Sequence, residues 1–126
     1  CDVIQADGGT RCAAINGGFV ALSIAIESLL QKKIISHNPI KTNITAVSCV
    51  SYKGQCAIDP DYDEDSNCDS DINFVVNGDD KIIEIQGTAE QEAFSFEELS
   101  EMNEMAKIAN KEIASLQKVA IEEANI

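Results

Sequence analysis

Apolar and polar positions divide this chain into two long helical stretches separated by strand-like runs. Residues 11–33 carry apolar side chains nearly all round a helix: Ala13, Ala14, Ile15, Phe19, Val20, Ala21, Leu22, Ile24 and Ile26, with Gly17 and Gly18 among them. A helix of that kind is expected to be buried, and its glycines to admit a neighbouring backbone. It ends at Ser36-His37-Asn38-Pro39, where Pro39 pushes Asn38 out of helical geometry. Ahead of it, Cys1 to Gln5 reads as the end of a strand, followed by a glycine-rich turn over residues 6–10. Ile44 to Tyr52 and Gln55 to Ile58 read as strands joined at Lys53-Gly54, and an acidic loop follows from Asp59. Asp71 to Val76 and Lys81 to Gln86 form a hairpin across Asn77-Gly78-Asp79-Asp80. In the last helix, Ser95 and Glu98 make a capping box. Leu99, Met102, Ala106, Ala109, Ile113, Leu116 and Ala120 then repeat along one face, as core packing against a sheet. There is no internal repeat, and the order strand, helix, strands, helix means α+β or α/β.

Length and charge narrow the function. The chain has 126 residues, enough for one domain with a core. With 9 Lys+Arg against 22 Asp+Glu, its net charge is −13, which excludes a generic basic nucleic-acid binder or a polybasic membrane anchor. The longest apolar run, Phe19 to Ile26, is interrupted by Ser23 and too short to span a bilayer. The chain opens without Met on a strand-like run, so more of the protein is expected upstream. Its 5 cysteines show no C-x-x-C pair, and the single histidine, His37, stands far from most of them. Buried, reduced thiols in a cytosolic protein are expected rather than a zinc site.

Two segments carry candidate chemistry. Arg11, the only arginine, follows Gly8-Gly9-Thr10 at the start of the first helix. Free amides, the positive end of a helix dipole, glycines, a hydroxyl and a guanidinium together describe a phosphate cradle. The same turn also occurs as plain structure, and it lacks the Lys-Ser/Thr pair of a Walker A loop. The acidic loop holds Asp59, Asp61, Asp63, Glu64, Asp65, Asp69 and Asp71. It begins like an EF-hand but has Glu64 at the glycine position and Ser70 at the bidentate glutamate position. A solvated charge run is one reading. The other is a divalent-cation site or a carboxyl kept protonated by its neighbours, with Asp71 best placed at the mouth of a strand. His37 reads as a loop residue, and Tyr52 and Tyr62 as packing or surface residues.

At this point the residues resemble the bacterial ribonuclease PH family. The opening Cys1-Asp2-Val3-Ile4-Gln5-Ala6-Asp7-Gly8-Gly9-Thr10-Arg11 matches that family's signature nearly residue for residue. Asn38-Pro39, Asp61-Tyr62, Glu64-Asp65-Ser66, Asp71, Asn73 and Glu84-Ile85-Gln86-Gly87-Thr88-Ala89-Glu90 match its later landmarks in order. The likeness covers the whole chain as the second half of such a protein. It implies an α+β fold, ribonuclease PH-like (ribosomal protein S5 domain 2-like), with a sheet packed by helices and incomplete at its N-terminus. Within it, residues 1–40 hold a strand end, the phosphate turn and the buried helix, and residues 41–126 the strands, the acidic loop and the last helix. It further implies a phosphorolytic 3′→5′ exoribonuclease of the tRNA nucleotidyltransferase type, acting on tRNA precursors in the cytoplasm. In the family such proteins form rings, typically hexamers, without a membrane.

The resemblance carries phosphate binding onto Gly9, Thr10 and Arg11. The metal ion (Mg²⁺ or Mn²⁺) and the proton for the leaving oxygen fall to Asp65 and Asp71. Inorganic phosphate is the co-substrate. Cys12 stands where the family usually has threonine, and Asn67-Cys68-Asp69 replaces Ala-Ala-Glu. Because a net charge of −13 cannot by itself hold RNA, activity is expected of the complete enzyme and not of this piece alone. A non-catalytic ring subunit of the same fold is the alternative, and a plain calcium-binding module a weaker third.

Overall fold

A computed structural model describes residues 1–124. The elements are α1 (Thr10–Gln31), β1 (Ile44–Tyr52), β2 (Gln55–Ile58), α2 (Tyr62–Asn67), β3 (Ser70–Asn77), β4 (Ile82–Ala89) and α3 (Phe96–Ala124). The four strands form one antiparallel sheet in the order β2-β1-β3-β4. Alternation along β1 and β3 sends Val47, Cys49, Ile72 and Phe74 to one face, where Met102 and Ala106 of α3 complete the main core. The other face carries Ala46 and Val75, on which Cys12 and Ile15 of α1 pack. The class is α+β.

Both bonds of the capping box form. The Ser95 hydroxyl accepts the Glu98 amide at 3.1 Å, and the Glu98 carboxylate accepts the Ser95 amide at 2.7 Å. Ser51 of β1 also donates to Glu98 at 3.0 Å, which ties the start of α3 to the sheet. These bonds, Ser95's first, pull the Glu98 carboxyl below its ordinary pKa.

Half of β1 lacks a strand neighbour on the β2 side, since β2 pairs only with Cys49 to Tyr52. Side chains and a loop amide take over there. Asn16 of α1 donates to the Ala46 carbonyl at 2.7 Å and accepts the Ala46 amide at 2.8 Å. Gln117 of α3 donates to the Ile44 carbonyl at 2.9 Å, and the Asp59 amide to the Ser48 carbonyl at 2.8 Å. Asn16 thereby fixes α1 lengthwise against β1, and with it the turn ahead of α1.

Several expectations need correction. Residues 1–9 form no strand, and Ile4 is fully exposed, because no strand among the described residues pairs with them. α1 is not buried all round. Only Cys12 is fully buried, Leu22 is exposed, and Gly17 faces open space rather than a backbone, since one sheet face and α3 cover only one flank. By length and composition α1 is also long and apolar enough to cross a membrane, although the apolar run within it is short. Asn16 nevertheless commits it to the sheet. The thiols are free but not uniformly buried: Cys12, Cys49 and Cys68 are, Cys56 is half-buried and Cys1 exposed. On α3 the buried line drifts from Met102 and Ala106 to Asn110 and Gln117, leaving Leu116 and Ala120 exposed. A straight helix with 3.6 residues per turn carries the covered face onto those two amides.

Candidate active site

The glycine turn is built by Asp7. Its carboxylate accepts the Gly8 amide at 2.8 Å and the Tyr62 amide of α2 at 2.6 Å. Gly8 is pressed so closely on the Pro60 and Asp61 carbonyls that a Cβ there would clash with backbone. Gly9 follows with φ 69°, a left-handed conformation that favours glycine, and serves as the N-cap of α1. No side chain caps that helix, so the first amides remain available to an anion. The Thr10 hydroxyl is itself spent inside the turn, donating to the Asp7 carbonyl at 2.7 Å. Arg11 lies half-exposed, with Nη2 2.7 Å from Oε1 of Glu84 on β4.

The carboxylates separate into two groups. Asp61 accepts the Glu64 amide at 2.9 Å, and Glu64 reaches back to the Asp61 amide at 3.0 Å, a capping box for α2. The segment read as a loop, with its partial EF-hand spacing, is therefore a short capped helix. Asp69 accepts the Lys53 amide at 2.9 Å, while its own amide donates to the Ser51 carbonyl. It braces the β1–β2 turn. Asp65 and Asp71, in contrast, line one polar cavity of about 440 Å³ together with Ser66, Cys68, Glu90 and Gln91. Burial, and then the charges of Asp71 and Glu90, push the Asp65 carboxyl above its ordinary pKa. Asp71 is fixed by Ser48, whose hydroxyl donates to it at 2.7 Å.

The turn and the carboxylates are adjacent. A Cβ on Gly9 would stand 3.8 Å from the Ser48 side chain and 3.9 Å from the Asp59 carboxylate, so Ser48 lies between Gly9 and Asp71. Cys12, the threonine replacement, points its thiol at Asn73 of β3 at 3.4 Å. Burial lifts that thiol to about 11; Arg11 eases the rise, and the negative charges of Asp71, Asp59 and Glu84 add to it. Arg11, Asp71, Asp59 and Glu84 thus act electrostatically on one point. His37 stands apart in an exposed loop, bonded to Ser36.

The donor set fits a small hard cation only in part. Among the described residues no three His, Cys, Asp or Glu side chains converge closely enough to hold an ion. Two carboxylates on one cavity do suit Mg²⁺, which commonly takes one or two protein carboxylates and completes its shell with water and substrate phosphates. Sequence reasoning missed Ser48, Glu84, Glu90 and Asp7 as parts of the site. The strand register, which sets which residues share the α1 face, could have pointed to Ser48 and Glu84, whereas Glu90 follows the end of β4.

Comparison with known proteins bears on the family and the fold. The family described as 3′ exoribonuclease family, domain 2, matches residues 42–109. Ribonuclease PH of Cereibacter sphaeroides strain KD131 is 47% identical over 121 residues, covering 96% of this chain and 51% of the relative. The protein of the same name from strain ATCC 17029 is 46% identical over the same extent. The chain thus spans about half the length of these relatives. The crystal structure of rice (Oryza sativa) Rrp46 superposes with a TM-score of 0.74 at 20% identity, covering 95% of this chain and 51% of that one, a likeness of fold. With the ribonuclease PH-like fold in place and the family match running through β1 to β4 into α3, the chain belongs to the 3′ exoribonuclease family, whose domain 2 it carries.

Proposed function

We propose that this chain is the catalytic second half of a phosphorolytic exoribonuclease that shortens RNA from its 3′ end. The observation that carries the reading is the adjacency of an uncapped helix start at Gly9 and a pair of cavity-lining carboxylates, with Ser48 between them. An oxygen of inorganic phosphate, held at the free amides of α1 and by Arg11, attacks the terminal phosphodiester. The bond from phosphorus to the 3′ oxygen breaks, and the last nucleotide leaves as its 5′-diphosphate. The departing 3′ oxygen takes a proton. Asp65, whose carboxyl is pushed toward its protonated form, suits that donor role. Asp71, held in place by Ser48, suits an oxygen ligand for Mg²⁺ or Mn²⁺. When bound, such an ion offsets charge on the reacting phosphates. The proposal includes tRNA precursor 3′ ends as substrate, a ring of typically six copies, a cytoplasmic location and no membrane. It also holds that residues 1–126 alone are inactive.

The test uses the full-length protein containing this chain and an RNA with an extended 3′ end, and reads phosphate-dependent release of nucleoside diphosphates. Asp65→Asn and Asp71→Asn are each expected to lose at least ~10²-fold, the lower scale of general-acid effects. Asp63→Asn, on the exposed first turn of α2, should stay within about threefold because solvent screens it. Extra magnesium should partly rescue Asp71→Asn and not Asp65→Asn. Equal losses in all three variants would refute the assigned roles, and wild-type turnover in Asp65→Asn and Asp71→Asn would favour a non-catalytic ring-building subunit.

A further inference from the structure

We propose that Glu84 is a positioning residue for Arg11, holding one arm of its guanidinium against β4 so that the other donors face an incoming phosphate. This rests on the phosphate reading of the Gly9 turn. Arg11 is the only arginine in the chain and the second residue of α1. Its Nη2 lies 2.7 Å from Glu84 Oε1. That oxygen is shut off from solvent and receives no aligned hydrogen bond within the described residues, so the guanidinium charge is what compensates it. A guanidinium offers five N–H donors in a planar fork. One terminal nitrogen is engaged by Glu84, and the rest remain for a bidentate contact with an anion.

The strand register explains why Glu84 is placed to do this. Asp71 pairs with Thr88, Asn73 with Gln86 and Val75 with Glu84, which puts these residues on one face of the β3–β4 pair. Cys12 of α1 bonds Asn73, so this is the face that α1 covers. Arg11 therefore reaches over that face to the edge strand. Two other carboxylates, Asp59 and Asp71, act together with Arg11 and Glu84 on the adjacent Cys12 thiol. An unanchored guanidinium would distribute itself among them, and its pairing with Asp71 would tie up a group assigned to the reaction. Glu84 removes both losses before phosphate arrives, by limiting rotamer freedom and by taking the charge elsewhere.

The test uses the full-length protein, with inorganic phosphate as the probe. It measures equilibrium phosphate binding by calorimetry, and the KM values for phosphate and for RNA. Glu84→Ala should weaken phosphate about tenfold, or ~1.4 kcal/mol, without moving the KM for RNA. Glu84→Gln, which keeps an acceptor, should recover phosphate binding to within about threefold. Adding Glu84→Ala to Arg11→Ala should cost nothing further, since Glu84 acts only through Arg11. Unchanged or tighter phosphate binding in Glu84→Ala overturns the proposal, as does a full additional loss in the double variant. So does a Glu84→Gln variant as weak as Glu84→Ala. A wild-type protein that binds phosphate but releases no diphosphates would refute the proposed activity alone, with Glu84 still read from the binding series. A wild-type protein that binds no phosphate refutes both.

Discussion

Replacing Asn16 with alanine should show how much of the site's alignment depends on one side-chain amide. The amide pairs with both backbone groups of Ala46, a residue 1% exposed on β1. Alanine would leave one donor and one acceptor buried without partners, at ~1–3 kcal/mol each. Some relaxation on the open side of β1 brings the expected loss to about 3 kcal/mol, near the lower middle of that sum. Asn16→Asp keeps an acceptor for the Ala46 amide but turns its second oxygen on the Ala46 carbonyl, so it should be no milder. Urea unfolding of the full-length protein checks this. With slopes of ~1–3 kcal/mol per molar, the midpoint should fall by ~1–3 M. Amide exchange gives a local reading, because the Ala46 N–H is held by a side chain rather than by a strand and should lose protection selectively. Phosphate binding should weaken in parallel, since the Gly9 turn lies under two helical turns ahead of Asn16. A midpoint shift under ~0.3 M in both variants, or an unchanged Ala46 exchange rate, would refute the reasoning.

Two further outcomes follow from the buried thiols and from the turn. Burial holds Cys12 at about 11 and Cys49 at about 12, against 9.0 for a free thiol. The folded state therefore keeps protons that the unfolded chain loses above pH 9, and stability should fall from there until pH passes the folded values. Each thiol contributes up to ~1.4 kcal/mol per pH unit. Cys49→Ala should flatten the alkaline slope in melting experiments between pH 9 and 11, and an unaltered slope would contradict the assignment. Gly8→Ala should destabilise by ~1–3 kcal/mol through overpacking against the Pro60 and Asp61 carbonyls. It should also weaken phosphate binding by displacing Gly9, and a variant with wild-type melting and binding would show that the turn is not pressed on α2.

Where local sequence and tertiary contact demand the same thing, the chain was readable in advance. The strands β1 and β2, the Asn77-Gly78 hairpin and the Ser95–Glu98 cap appear as expected, because each is specified within a few residues. α2 was concealed because Asp61 and Glu64 read as two more charges in an acidic run, although their spacing is that of a capping box. The apolar girth of α1 was overread as burial, since composition shows what a helix can bury and not how much neighbouring surface exists to cover it. Asn110 and Gln117 were missed because polar residues interrupt an apolar stripe even when the helix turns them inward. Of the site, the glycine turn and Asp71 stand out in the local pattern, whereas Asp65 is singled out only by the family resemblance. Glu84 was not legible, because its meeting with Arg11 depends on how β4 registers with β3 across the α1 face.

The amides and carbonyls of Ile44, Ala46 and Ser48 that Asn16, Gln117 and Asp59 engage have a consequence for assembly. A sheet usually presents two flanks to which another chain's strand can add. Here the β2 flank is four residues long, and beyond it the β1 backbone is already matched by groups that an incoming strand would first have to displace. Among the described residues the longer free edge is the other side, the eight residues of β4. The two flanks are thus unequal, and the β2 flank, where side chains stand in for a strand, is also the one that aligns α1.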